Sequence, residues 1–144
     1  MTQDALYNLI LLELDLGSFI SFFQVLPFTI VMGYDNKLVS ILKKLIGRQD
    51  LPAQMLTYDT TFKLGDFYLS ALIFKETEFS DTFLVPVAYV LHDRKLDEVH
   101  QLFFKMITQI LPELVITKET NKFFFVIDQE VAIYNAIQTI FSKR

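Results

Sequence analysis

Cysteine is absent from this chain and histidine occurs only twice. Without thiols there are neither disulfides nor thiolate metal sites, although this does not identify a compartment. His92 and His100 do not have zinc-ligand spacing and read as surface or helix-start residues. Basic residues are few and dispersed, as Lys43, Lys44 and Arg48, then Arg94 and Lys95, then Lys143 and Arg144, in a chain of formal charge −4. DNA binding is driven by neutralising phosphates, so this balance argues against the segment alone wrapping nucleic acid, and each small cluster reads as a solvated face. A Gly-rich phosphate loop and a nucleophile elbow are also missing, and nucleophilic triads lack support. Met1-Thr2-Gln3-Asp4 has no basic n-region of a signal peptide. Leu16 to Tyr34 is uncharged and has nearly the length of a membrane span. It is interrupted by Gly17, Ser18, Ser21, Gln24, Pro27 and Gly33 and flanked by Asp15 and Asp35, so it reads as core packing.

What is present is apolar. Hydrophobic residues make up 52% of the chain, with 15 Phe and only four Gly, which excludes disorder. A length of 144 residues fits one domain with one core. The mean hydropathy of +0.36 is high for a soluble domain, as expected if some of this surface normally meets a missing part of the protein.

The chain is organised around Leu56-Thr57-Tyr58-Asp59-Thr60-Thr61-Phe62. Tyr, Thr and Phe suit a pleated, half-buried surface, whereas Asp is depleted there. A carboxylate in the middle of such a strand is costly unless its charge is used. Leu56, Tyr58, Thr60 and Phe62 point one way, and Thr57, Asp59 and Thr61 the other. Lys63 to Asp66 is a turn of hairpin length, followed by strands at about Phe67 to Lys75 and Phe83 to Leu91. Pro86 marks the latter as outer or irregular. These three strands form an antiparallel meander.

The period then changes. Val99, Leu102, Phe103, Met106, Ile107, Ile110 and Leu111 fall on one helical face, and Pro112 ends it. Phe123 to Ile127 is apolar at every position and predicts a strand buried on both faces, with a neighbour on each side. A helix from Asp128-Gln129-Glu130 to about Phe141 packs Ile133, Ala136, Ile137, Ile140 and Phe141. Before the meander lie a helix over Ala5 to Leu14, an ambiguous stretch from Phe19 to Leu26, a short strand at Pro27 to Met32, and a turn at Gly33 and Tyr34. A helix capped by Asp35 or Asn36 then runs to about Ile46. The chain thus divides into an accessory helix-strand-helix segment, residues 1–54, and a β-β-β-α-β-α core, residues 55–144. A strand, crossover helix and strand place the last strand parallel to a meander strand, and if that neighbour is the opening strand, Asp59 and Asp128 sit side by side.

Two acids on adjacent strands suit a hard cation such as magnesium, which keeps waters and substrate phosphates as its other ligands. An Asp at a strand end is also a common helix cap, and on pattern alone capping is the favoured reading of Asp128. Asp93, Asp97 and Glu98 could approach the pair, but acids in a first helical turn are explained by the helix dipole. Tyr58 and Tyr89 on strands read as packing more than as base-stacking residues.

Tyr58-Asp59-Thr60-Thr61-Phe62, Pro86-Val87-Ala88-Tyr89, and Val126 to Ala132 with Asn135-Ala136 resemble the catalytic core of Mutator-like (MULE) transposases. Pro27 to Met32 with its following helix also resembles what precedes the first acid in eukaryotic members. The likeness covers about Pro27 to Phe141. It implies an α/β, RNase H-like mixed sheet, made of the meander plus a parallel strand with flanking helices, and a DDE triad in which Asp59 is the first acid and Asp128 the second. Glu130 matches a frequent acidic position beside the second. The implied activity is Mg2+- or Mn2+-dependent DNA cleavage and strand transfer, in the nucleus, with Asp59 and Asp128 as metal ligands. The family's Cys and His motif, inserted helical region and third acid have no counterpart before Arg144. The expectation is therefore a core truncated before its last strand and inactive as this isolated chain, needing the missing C-terminal part as a partner. A non-enzymatic interaction module that uses the exposed sheet edge is the competing class.

Overall fold

The computed structural model describes residues 20–46, 54–76, 83–114 and 123–141. Within them run β1 (Phe22–Gln24), β2 (Ile30–Tyr34), α1 (Asn36–Ile46), β3 (Gln54–Leu64), β4 (Phe67–Glu76), β5 (Phe83–His92), α2 (Asp97–Ile110), β6 (Phe123–Ile127) and α3 (Val131–Phe141). A 3-10 turn at Pro112–Leu114 follows α2. All six strands join one sheet in the order β1-β2-β5-β4-β3-β6. Its pairs are antiparallel except β3 with β6, which is parallel. The fold is α/β with a mixed sheet, and the returning strand does lie beside the opening one. The helix expected over Ala5 to Leu14 lies outside the described residues. No helix among those described is long and apolar enough to cross a membrane.

Local chemistry explains most of the boundaries. The Asp35 carboxylate opens α1 by accepting from the backbone N–H of Lys37 at 2.8 Å and of Leu38 at 3.0 Å, satisfying two of the donors that a helix start leaves free. Gly65 takes φ +61° at the first of two loop residues between Leu64 and Phe67, a conformation open to Gly and strained for residues with a Cβ. In β3 an extra residue sits between Thr60, opposite Ser70, and Phe62, opposite Leu69, so Thr61 is a bulge. β5 is an interior strand, yet Pro86 is tolerated because β2 pairs with it only from Ala88 to His92, and the ladder to β4 is itself irregular at Leu72 and Ile73.

Pairing sorts the side chains onto two faces. Ile30, Met32, Leu56, Tyr58, Leu72, Phe74 and Val90 share one face, and together with Val39 and Leu42 of α1, Val99, Phe103, Phe104 and Ile107 of α2, and Ile133, Ala136 and Phe141 of α3 they form the core. Phe125 of β6 meets Phe104 edge-on at 6.4 Å and Phe141 at 5.0 Å, which locks the last strand to both helices. The opposite face carries Thr57, Asp59, Ala71, Ile73, Tyr89 and Leu91, each half-buried.

Three expectations are corrected here. Gly33 does not turn the chain; it pairs with Tyr89 inside β2, and the strand runs on to Tyr34 because the ladder to β5 continues to Ala88. The ambiguous stretch before it supplies β1, which pairs with β2 through a turn containing Pro27. β6 is not buried between two neighbours. It pairs with β3 alone, it is the terminal strand of the described sheet, and Val126 is 45% exposed. Phe125 and Ile127 point to the helices, while Val126 points to the face that those helices leave open.

Candidate functional site

The parallel register of β3 and β6 runs from Gln54 opposite Phe123 to Tyr58 opposite Ile127. Asp59 and Asp128 each follow the last pair by one residue, Asp59 still within β3 and Asp128 just past the end of β6. Asp59 is half-buried opposite Ala71 on the open face of the sheet. Asp128 is exposed, and its Oδ1 accepts from the backbone N–H of Gln129 at 2.7 Å. It does not cap α3, where the first bonds run from Ile133 and Tyr134 to the Glu130 carbonyl. Among the described residues no group of three His, Asp or Glu is placed to hold a metal.

Glu130 is turned elsewhere. Its Oε1 lies 3.5 Å from Nε2 of His100, and its Oε2 lies 3.9 Å from Nζ of Lys95, whose ammonium sits 5.0 Å from the centroid of the Tyr68 ring. Asp93 is committed as well, accepting from the Thr29 backbone N–H at 3.1 Å at the β2 side of β5.

His92 and His100 are not surface residues: both are wholly buried. Their burial was legible in part, because His100 shares the spacing of Phe103, Phe104, Ile107 and Leu111, and His92 follows Ala88 and Val90 on one face of β5. The reason they tolerate burial is a polar network. His92 Nδ1 donates to the Arg94 carbonyl at 2.7 Å, so its Nε2 accepts from the Ser70 hydroxyl at 2.9 Å, and Ser70 in turn lies 2.6 Å from Thr60 Oγ1. The Tyr58 hydroxyl donates to His100 Nδ1 at 2.8 Å, which assigns the proton of His100 to Nε2, facing Glu130. That last contact is longer than a good hydrogen bond, and both of its atoms are otherwise unpartnered.

Burial sets the protonation of the whole cluster. It pushes His100 down to about 4, with neighbouring His92 and Lys95 adding to the effect, and it lowers His92 below the usual imidazole range. Burial likewise holds the Tyr58 hydroxyl protonated, well above its ordinary range. At neutral pH the network is uncharged up to Glu130 and Lys95. Ser70 has a triad-like histidine contact, but it is fully buried in the core and presents no nucleophile to a substrate.

A cavity of about 330 Å³ opens where β6 passes into α3, lined by Ile127, Asp128, Gln129, Val131 and Tyr134. Asp59 lies outside it. Comparison of the chain with protein-family models, curated proteins and solved structures returns no match.

Proposed function

We propose that this sheet is an RNase H-like core in which Asp59 and Asp128 hold a divalent cation for phosphodiester chemistry on DNA, as in the DDE cores of Mutator-like transposases that the chain resembles. The observation that carries the reading is the parallel pairing of β3 and β6, whose last pair, Tyr58 with Ile127, immediately precedes the two acids of the resembling motifs. The strand order β5-β4-β3-β6 with α2 as the crossover supports it. A bound Mg2+ or Mn2+ would supply charge neutralisation at the attacking and leaving oxygens. The chain's own part is to hold Asp59 within β3, between Tyr58, anchored in the core, and the Thr61 bulge, and Asp128 just past the end of β6. Glu130 is turned toward His100 and Lys95, and among the described residues no third acid joins the pair, so the isolated chain is expected to bind the cation without cutting DNA.

Mn2+ titration followed by amide line-broadening in NMR spectra tests the assignment. Broadening should centre on Asp59 and Asp128 and disappear in Asp59→Asn and Asp128→Asn. Broadening that survives both substitutions sinks it.

A second reading has its own observation, the outer edge of β6, which pairs with no other described strand, with Val126 exposed. Such an edge offers a ladder to a partner strand, which a non-enzymatic interaction module would use. A chain that elutes as a monomer at every concentration counts against it.

A further inference from the structure

The cavity beside Asp128 has a composition that neither acid explains. It is lined by the apolar or aromatic Ile127, Val131 and Tyr134 and the polar Asp128 and Gln129, and among the described residues no cation lines it. Val131 is 69% exposed and Tyr134 54%, so an aliphatic side chain and a phenol are both available to a ligand there. Its volume of about 330 Å³ is at the lower end of small-molecule sites, enough for one flat ring system and too small for a folded element of another protein.

We infer that this cavity is a nucleobase subsite, in which Tyr134 stacks on the base next to the phosphodiester at the acid pair and Gln129 meets the base edge. The inference rests on the phosphodiester reading above, because Asp128 belongs to both: it lines the cavity, and it follows the strand end that pairs with Tyr58 next to Asp59. A ligand whose backbone reaches Asp128 therefore has its adjoining group at Tyr134. The lining charge decides which group that is. A phosphate would face a carboxylate with no Lys or Arg among the described lining residues to offset it, whereas a neutral, planar base meets no such repulsion and has the Tyr134 side chain beside it. Stacking of this kind is tolerant of base identity, and the Gln129 amide both donates and accepts, so it suits several base edges. Asp128 accepts only, which favours bases that present an amino group.

The test uses the neutral nucleoside deoxyadenosine, with EDTA present so that no metal contributes, and follows amide and methyl shifts by NMR. Shifts are expected at Gln129, Val131 and Tyr134, and 2-deoxyribose alone should produce none. Tyr134→Ala should weaken the response about five- to 150-fold, the range of a base-aromatic stack, while Tyr134→Phe should retain it. Because Tyr134 is more than half exposed, its truncation leaves the core intact, and an unchanged far-UV spectrum confirms this. Absence of shifts, shifts elsewhere, or a Tyr134→Ala response equal to that of the original chain overturns the inference. Asp59→Asn separates the two proposals: Mn2+ binding should be lost and nucleoside binding kept, since Asp59 lies outside the cavity. Loss of metal binding from the unaltered chain would strike the phosphodiester reading without touching these shifts.

Discussion

Acid should weaken this fold through His100 by an amount that can be isolated. The side chain is fully buried between the Tyr58 hydroxyl and Glu130, and its titration is displaced from an ordinary 6.5 down to about 4. The native form thus binds a proton less readily than the unfolded chain. No penalty exists above about pH 6.5, where both states are neutral. It grows as pH falls through that value and is complete below about pH 4, where both are charged. The displacement of roughly 2.5 pH units corresponds to about 3 kcal/mol, a large share of the 5–15 kcal/mol typical of a domain. His92, also lowered by burial, adds in the same direction. Carboxylates contribute to acid unfolding as well, so the comparison that matters is with His100→Asn, which keeps an acceptor for Tyr58 and cannot titrate. Urea unfolding followed by circular dichroism at steps from about pH 7 to about pH 4 should show the original chain losing about 3 kcal/mol more than the variant, whatever the variant costs at neutral pH. Parallel stability curves for the two proteins would refute the reasoning.

Other expectations follow from packing and backbone. Phe104→Ala removes the ring that joins Tyr58, Phe103, Phe125 and Phe141 and should cost about 3–5 kcal/mol in chemical denaturation. Asp35→Ala leaves two amide groups of α1 without their acceptor and should cost about 1 kcal/mol by the same measurement. Gly65→Val would meet no steric neighbour, since nothing lies within 4 Å of its added Cβ, yet should destabilise by about 1–2 kcal/mol because φ is +61°. Val126→Lys puts a charge on the open strand of the sheet and should reduce any concentration-dependent association seen by light scattering.

The strand carrying Asp59 was legible because its alternation is strong: Leu56 and Tyr58 are fully buried, and Thr57 and Asp59 are not. Its pairing with β6 followed from the order of elements, since a strand reached through a crossover helix returns parallel. The same reasoning failed for the far side of β6. Five apolar residues read alike whether a strand has one neighbour or two, and here Phe125 packs on Phe104 and Phe141 while Val126 stays exposed. The histidines were misread because charge type says little about burial once partners distant in sequence are available. Glu130 shows this most plainly: its position suggested a companion to Asp128, while its nearest polar contacts come from the start of α2 and the loop before it. The cavity at Tyr134 was not legible, because it arises from how a strand end and a helix start meet.

The Thr61 bulge has a consequence for how this molecule could be altered. It lies on the turn side of Asp59, after Asp59 has paired with Ala71 and before Lys63 meets Tyr68. Removing Thr61 would restore a regular ladder, with Phe62 still facing Leu69, and would leave every pair from Met55 to Thr60 in place. The tip of the hairpin is thus a separable module whose length can be edited at Thr61 and at the Gly65-Asp66 loop, independently of the register that pairs β3 with β6.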